Sequence, residues 1–140
     1  MILGLYSGLV VGWSTPGHTN RRLALGALDL AMGCRHPGPG LLHRSDLGSQ
    51  YACAGYQQAL KSHGMVCSMG RKGDCRDNAL MESFFHTLKT KLVHHRDCQT
   101  RWEAEAGIFQ YIEAFYNRGR RHSALGFVTP AEYEMIMLAA

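Results

Sequence analysis

The chain has 140 residues, 46% of them hydrophobic and 19% charged, with a formal net charge of +4 and eight histidines taken as neutral. At this length about two-thirds of the unfolded surface can be buried, enough for one domain with a real core. The composition excludes a disordered acidic tail, a collagen-like repeat and low complexity. The mild positive charge fits a polyanionic partner without proving one.

In chain order, residues 1–13 (MILGLYSGLVVGW) are apolar but lack the basic start of a signal peptide and are too short to span a bilayer. They are expected to form two buried strands, or one and a remnant, the second ending at Thr15-Pro16-Gly17. Residues 20–32 are predicted to form a helix capped by Asn20, with Leu23, Ala27, Leu30 and Ala31 inward and Gly33 as its stop. A Pro/Gly loop precedes a short buried strand at residues 41–43 and a polar turn at residues 44–48. A helix over residues 53–63 turns Tyr56, Ala59 and Leu60 inward and stops at Gly64, and a strand follows at residues 65–68. After a basic loop at residues 70–74, Asp77 or Asn78 caps a helix running to about His94, with Met81, Phe84, Phe85, Leu88 and Leu92 as its core stripe. A longer helix covers residues 100–117, with Trp102, Ile108, Phe109, Ile112, Phe115 and Tyr116 buried. Residues 118–122 form a basic turn, in which His122 bonds to backbone. Thr129-Pro130-Ala131-Glu132 is a capping box that opens a last helix. Tyr6, Trp13 and Tyr51 are assigned to the core. Strands alternating with helices indicate an α/β fold, and neither a repeat nor an interdomain linker interrupts it.

Charge is uneven. Residues 61–101 carry a net +4, whereas residues 102–140 carry a net −2 even with the cluster Arg118, Arg120 and Arg121 counted. Five cysteines without a CxxC pair argue against a disulfide scaffold and for a reducing compartment. A zinc set of His63, Cys67, Cys75 and His94 matches no standard ligand spacing.

Few carboxylates are placed to do chemistry. Asp46 follows a predicted strand, where open α/β sheets put ligands. Glu82 lies near a helix N-terminus, a position ordinary capping preference also explains. At about 100° per residue, Glu82, His86 and Lys89 share one helix face, offset from the core stripe. That face is either a solvated one with a weak ion pair or a metal-holding carboxylate followed by a phosphate-holding lysine.

Three stretches carry a family resemblance. Residues 43–51 (HRSDLGSQY) and 68–85 (SMGRKGDCRDNALMESFF), with 35 residues between Asp46 and Glu82, resemble the second-aspartate and glutamate motifs of OrfB-type insertion-sequence transposases, whose catalytic core is of the retroviral-integrase (DDE) type. Residues 115–126 (FYNRGRRHSALG) with 129–132 (TPAE) resemble the end of that core. The resemblance implies a ribonuclease-H-like mixed sheet flanked by helices and a single integrase catalytic core domain over residues 1–140. It implies DNA cutting and joining in transposition with two Mg²⁺ or Mn²⁺ ions. Asp46 and Glu82 then correspond to catalytic, metal-holding residues. Lys89 corresponds to a contact with the terminal DNA. Arg71, Lys72, Arg118, Arg120 and Arg121 become contacts to phosphates. Asp77 and Asn78 match the acid–amide pair that opens the glutamate helix and are read as its cap.

Departures from the family pattern stand beside the matches. Residues 1–8 resemble a segment that follows the family's first catalytic strand, with Gly4 in place of Asp and Gly8 in place of Arg. Leu47 replaces a basic residue and Arg44 a histidine. Asp29 cannot supply the first aspartate, because it falls on the following predicted helix. The expectation is therefore an N-terminally truncated core that lacks its first catalytic strand and is weak or inactive alone. One alternative is a non-catalytic DNA-binding fragment that modulates full-length transposase. Another is a metal-dependent nuclease completed by an acid from elsewhere. The expected partners are transposon-end and target DNA, with full-length transposase or a second copy, in the bacterial cytoplasm, on the nucleoid when bound to DNA and away from membranes.

Overall fold

The computed structural model describes residues 1–15, 20–45, 48–69, 79–94 and 96–140. It is a mixed α/β structure whose backbone contacts divide it into two compact units, Met1–Ile2 with Val11–Asn78 and Leu3–Val10 with Ala79–Ala140. Two short strands open the chain, β1 (Ile2–Leu3) and β2 (Val10–Gly12), paired with one another as expected of the apolar N-terminus. Gly4 N–H donates to the Leu9 carbonyl at 2.8 Å and Gly8 N–H to the Gly4 carbonyl at 2.7 Å, closing the turn between them. Gly8 takes the positive φ of 69° that this turn requires.

In the first unit, α1 (Asn20–Arg35) runs past Gly33, the expected stop. Its buried residues are Ala24, Ala27, Leu28, Ala31 and Met32, the i, i+3/i+4, i+7/i+8 rows of one face. Leu30, expected inward, is exposed, because the covered face lies about one residue round the helix. Strand β3 (Leu42–Ser45) pairs in parallel with β4 (Val66–Met69), in the register Leu42↔Val66 to Ser45↔Met69. A parallel pair needs a crossover, supplied by α2 (Ser49–Ala52) and α3 (Ala54–Ser62). Tyr56 and Leu60 are buried on α3, and Gly64 ends the turn after it at φ 68°.

The strand expected to be buried at residues 41–43 differs in its facing. Leu41 and Leu42 are half-exposed while His43 is buried, because alternation along β3 turns the histidine toward Tyr56. The strand also continues through Arg44 and Ser45, where a turn was expected. The unit's core is Ala24, Leu28, Ala31, Met32, Tyr56, Leu60 and Met65, with Ile2, Val11, Tyr51 and Cys67 packed against it.

The second unit holds α4 (Ala79–Leu88), α5 (Arg101–Gln110) and α6 (Pro130–Ala139). Helices α4 and α5 continue as π-helical stretches, Lys89–Val93 and Tyr111–Tyr116. Phe84 is the centre of packing. It meets Phe85, Tyr111 and Tyr116 edge-to-face, with ring centroids 5.5, 6.0 and 4.7 Å away. The i→i+5 pairing after α5 brings Tyr111 and Tyr116 to one side, and both are buried with Ile112.

Several aromatics expected in the core are not in it. Trp102 is 76% exposed, Phe109 56% and Tyr6 65%, with Phe85 and Phe115 also in the exposed class. Tyr6 lies in the turn between β1 and β2; the helices that carry the other four bear apolar residues on more than one face, and a small unit covers one. The last helix opens with the expected box: Thr129 Oγ1 accepts from Glu132 N–H at 3.2 Å, and Thr129 N–H donates to Glu132 Oε2 at 2.9 Å. Met135, Ile136, Met137 and Leu138 are all exposed on it. The capping roles expected of Asn20, Asp77 and Asn78 lie outside what the structure describes. Among the described residues, no helix is long and apolar enough to cross a membrane.

Candidate functional site

Strands β3 and β4 end on one register pair, Ser45↔Met69. Asp46 follows β3 directly in sequence, and the basic loop with Arg71 and Lys72 follows β4. Asp46, Arg71 and Lys72 all lie outside the described residues.

The strand leading to Asp46 is anchored by His43. Its Nε2 stands 3.0 Å from the Tyr56 hydroxyl, and the two rings are 5.6 Å apart. Burial holds the His43 imidazole below its ordinary value and raises the Tyr56 phenol well above its own. A neutral histidine accepting from a neutral tyrosine hydroxyl fits both shifts. The Ser45 hydroxyl oxygen is buried with no hydrogen-bond partner among the described residues.

Glu82 sits in the first turn of α4 and is exposed. Its carboxylate makes no hydrogen bond or ion pair with another described residue. His86 and Lys89 are exposed as well, so the expected face stands clear of the Phe84 core. Lys89 is the first residue of the π-helical stretch. A carboxylate oxygen is a hard donor suited to Mg²⁺ or Mn²⁺, so Glu82 fits such an ion. Among the described residues no group of three or more His, Cys, Asp and Glu side chains could hold a metal. That finding covers His63, Cys67 and His94; Cys75 lies outside the described residues. Cys34, Cys53, Cys67 and Cys98 are free thiols.

The arginine cluster separates into two kinds. Arg118 and Arg121 are exposed. Arg120 is half-buried and donates from Nη1 to Thr87 Oγ1 on α4 at 2.6 Å. Its guanidinium carbon lies 5.9 Å from the centre of the Tyr116 ring. His122 donates its backbone N–H to the Val128 carbonyl at 3.0 Å, as a turn histidine would. Its ring departs from that reading: Nε2 is buried and unpartnered among the described residues. Burial, and secondarily the Arg120 charge, lower the His122 pKa.

Asn117 carried no expectation from sequence and is buried, with its side-chain amide bonded on both sides to the backbone of Val10. No local sequence signal points to a partner 107 residues away. The His43–Tyr56 pair had a weak signal: alternation in Leu42-His43-Arg44-Ser45 sets the histidine against the leucine.

The integrase core domain family matches the chain twice, with one family model over residues 1–75 and a second of the same description over residues 82–138. The chain belongs to the integrase core domain family. This integrase-core chain is 42% identical over 132 residues to the transposase for insertion sequence element IS904 of Lactococcus lactis, covering 94% of the chain and 52% of that protein. It is 40% identical over 139 residues to transposase InsF for insertion sequence IS3A of Escherichia coli, covering 99% of the chain and 48% of that protein. The chain thus spans about half the length of the curated relatives it matches. The resemblance carried by the motifs around Asp46, Glu82 and residues 115–132 extends over nearly the whole of this integrase-core chain.

Proposed function

We propose that these residues act in DNA transposition as part of a transposase catalytic core of ribonuclease-H-like fold, with residues 1–140 belonging to one integrase catalytic core domain. The observation that carries this reading is Glu82: an exposed carboxylate in the first turn of α4, in line with exposed His86 and Lys89, in a chain of the integrase core family.

Asp46 and Glu82 are the proposed ligands for Mg²⁺ or Mn²⁺. When bound, such ions acidify the attacking hydroxyl and stabilise the leaving oxygen. The attacking oxygen of water or of a DNA 3′-hydroxyl forms a bond to phosphorus, the phosphodiester P–O3′ bond breaks, and the departing oxygen takes up a proton. Lys89, Arg71, Lys72, Arg118 and Arg121 hold the phosphate backbone, fixing position more than sequence; Arg120, expected beside them, is half-buried and bonded to Thr87 and is left out of that set. The DNA partners are transposon ends and target, with full-length transposase or a second copy beside them. The place of action is the bacterial cytoplasm.

The test is nicking of a duplex carrying the terminal repeat of the encoding element, with Mg²⁺ or Mn²⁺. The 140 residues hold two of the three carboxylates of the family pattern, so weak nicking is expected from them alone, abolished by Glu82→Gln. Salt-dependent binding without nicking would replace this reading with a non-catalytic DNA-binding role that modulates full-length transposase. Neither nicking nor binding would overturn both.

A further inference from the structure

We infer that Arg120 is a positioning residue for helix α4, with a role different in kind from its exposed neighbours Arg118 and Arg121. The inference rests on the proposed function for its catalytic consequence and on geometry for the rest. Arg120 Nη1 donates to Thr87 Oγ1 at 2.6 Å, and Thr87 Oγ1 donates in turn to the Ser83 carbonyl at 2.9 Å. The guanidinium also lies over Tyr116, whose ring meets Phe84 edge-to-face at 4.7 Å. Arg120 therefore grips α4 twice, once through a hydroxyl and once through an aromatic pair.

The grip is on the far side of the helix from the proposed chemistry. Thr87 and Phe84 lie about 140° and 160° round α4 from Glu82, whereas Lys89 lies within about 20° of it. Holding the Phe84/Thr87 side fixes the direction in which Glu82, His86 and Lys89 point. A planar guanidinium suits this task, since it can stack on a ring while donating in its own plane. Turning it outward to a phosphate would forfeit the Thr87 bond and the Tyr116 contact together. Burial raises the Tyr111 and Tyr116 phenols and the Arg120 charge opposes that rise, which agrees with a cation lodged among them.

The experiment compares Arg120→Gln, Arg120→Lys and Thr87→Val with Arg118→Gln and Arg121→Gln in the 140-residue chain. Duplex binding is measured against salt, and nicking against duplex concentration. Losing one phosphate contact lowers the log–log salt slope by about 0.9, which is expected of Arg118→Gln and Arg121→Gln. Arg120→Gln and Thr87→Val are expected to keep the slope and the KM for duplex while kcat falls. Arg120→Lys is expected to fail to restore kcat. The Arg120→Gln/Thr87→Val double variant is expected to be no worse than the worse single one.

A slope lowered by about 0.9 in Arg120→Gln, additive losses in the double variant, or full kcat in Arg120→Lys would each overturn the inference. If Arg120→Gln does not fold, the milder Thr87→Val carries the test alone. If the unaltered chain neither binds nor nicks duplex, the proposed function fails by itself, and amide hydrogen exchange over residues 82–89 decides the positioning role. Faster exchange in Thr87→Val and Arg120→Gln, but not in Arg118→Gln, supports it; equal exchange overturns it.

Discussion

The side-chain amide of Asn117 pairs with the backbone of Val10 as a neighbouring strand would: Oδ1 accepts the Val10 N–H at 3.0 Å and Nδ2 donates to the Val10 carbonyl at 3.1 Å. Both residues are buried, so neither bond is replaced by water when the amide is lost. Asn117→Ala is expected to cost about 3 kcal/mol in urea unfolding. Asn117→Asp, which keeps the acceptor but sets a carboxylate against the Val10 carbonyl, is expected to recover none of it. A loss below about 0.5 kcal/mol, the low end for one net hydrogen bond, would show that the pairing does not hold the unit together.

Gly12 and Gly33 should respond in opposite directions to alanine. A Cβ on Gly12 would stand 2.1 Å from the Ala27 carbonyl oxygen and 2.8 Å from the Ala31 Cβ, so β2 would have to lift from α1. A loss of about 2 kcal/mol is expected for Gly12→Ala. Gly33 lies within α1 with nothing within 4 Å of an added Cβ. Gly33→Ala should stabilise by about 0.5–1 kcal/mol through helix propensity. Thermal unfolding of the two variants checks both signs.

Stability should fall on mild acidification. Burial sets the folded pKa of His43 below its ordinary 6.5. Between the folded value and 6.5 the unfolded chain therefore binds more protons than the folded one, and stability rises with pH across that window. It is fully present above 6.5 and declines as pH drops, levelling off below the folded pKa. His122, lowered for the same first reason, adds in the same direction. Unfolding free energies from pH 7.5 to 5 should show a shallower decline in His43→Gln than in the unaltered chain. An identical decline would remove His43 from the account.

Lys89→Ala should weaken duplex binding and lower the log–log salt slope by about 0.9. Lys91→Ala supplies the control: also exposed in the same π-helical stretch, but about 200° further round the helix at α-helical spacing. Equal losses from the two would point to general charge and away from the Glu82–Lys89 face.

Local structure is legible in the sequence where a short-range cause governs it. The Thr129–Glu132 box, the stop at Gly64 and the helix carrying Tyr56 and Leu60 follow from neighbouring residues alone. The outward face of Glu82, His86 and Lys89 followed from helical period. The helix faces that became covered were harder to read, because Leu30, Phe85, Trp102 and Phe109 offered apolar surface that tertiary packing left uncovered. Pairings of distant residues, Asn117 with Val10 and Arg120 with Thr87, leave no periodic trace. The divergence of Arg120 from Arg118 and Arg121 was invisible for the same reason: composition shows three arginines in a turn, and only geometry shows which one is folded inward.

The turn after α5 ties together much of its own unit. Within five residues Tyr116 packs on Phe84, Asn117 pairs with Val10 and accepts Ala131 N–H through its carbonyl, and Arg120 reaches Thr87. A genetic screen scoring only transposition would therefore strike the buried Tyr116 and Asn117 as hard as the carboxylates, and for a different reason. Hits there would report a chain that has come loose, and a proteolysis or melting measurement on the same variants would separate them from hits in the chemistry at Glu82.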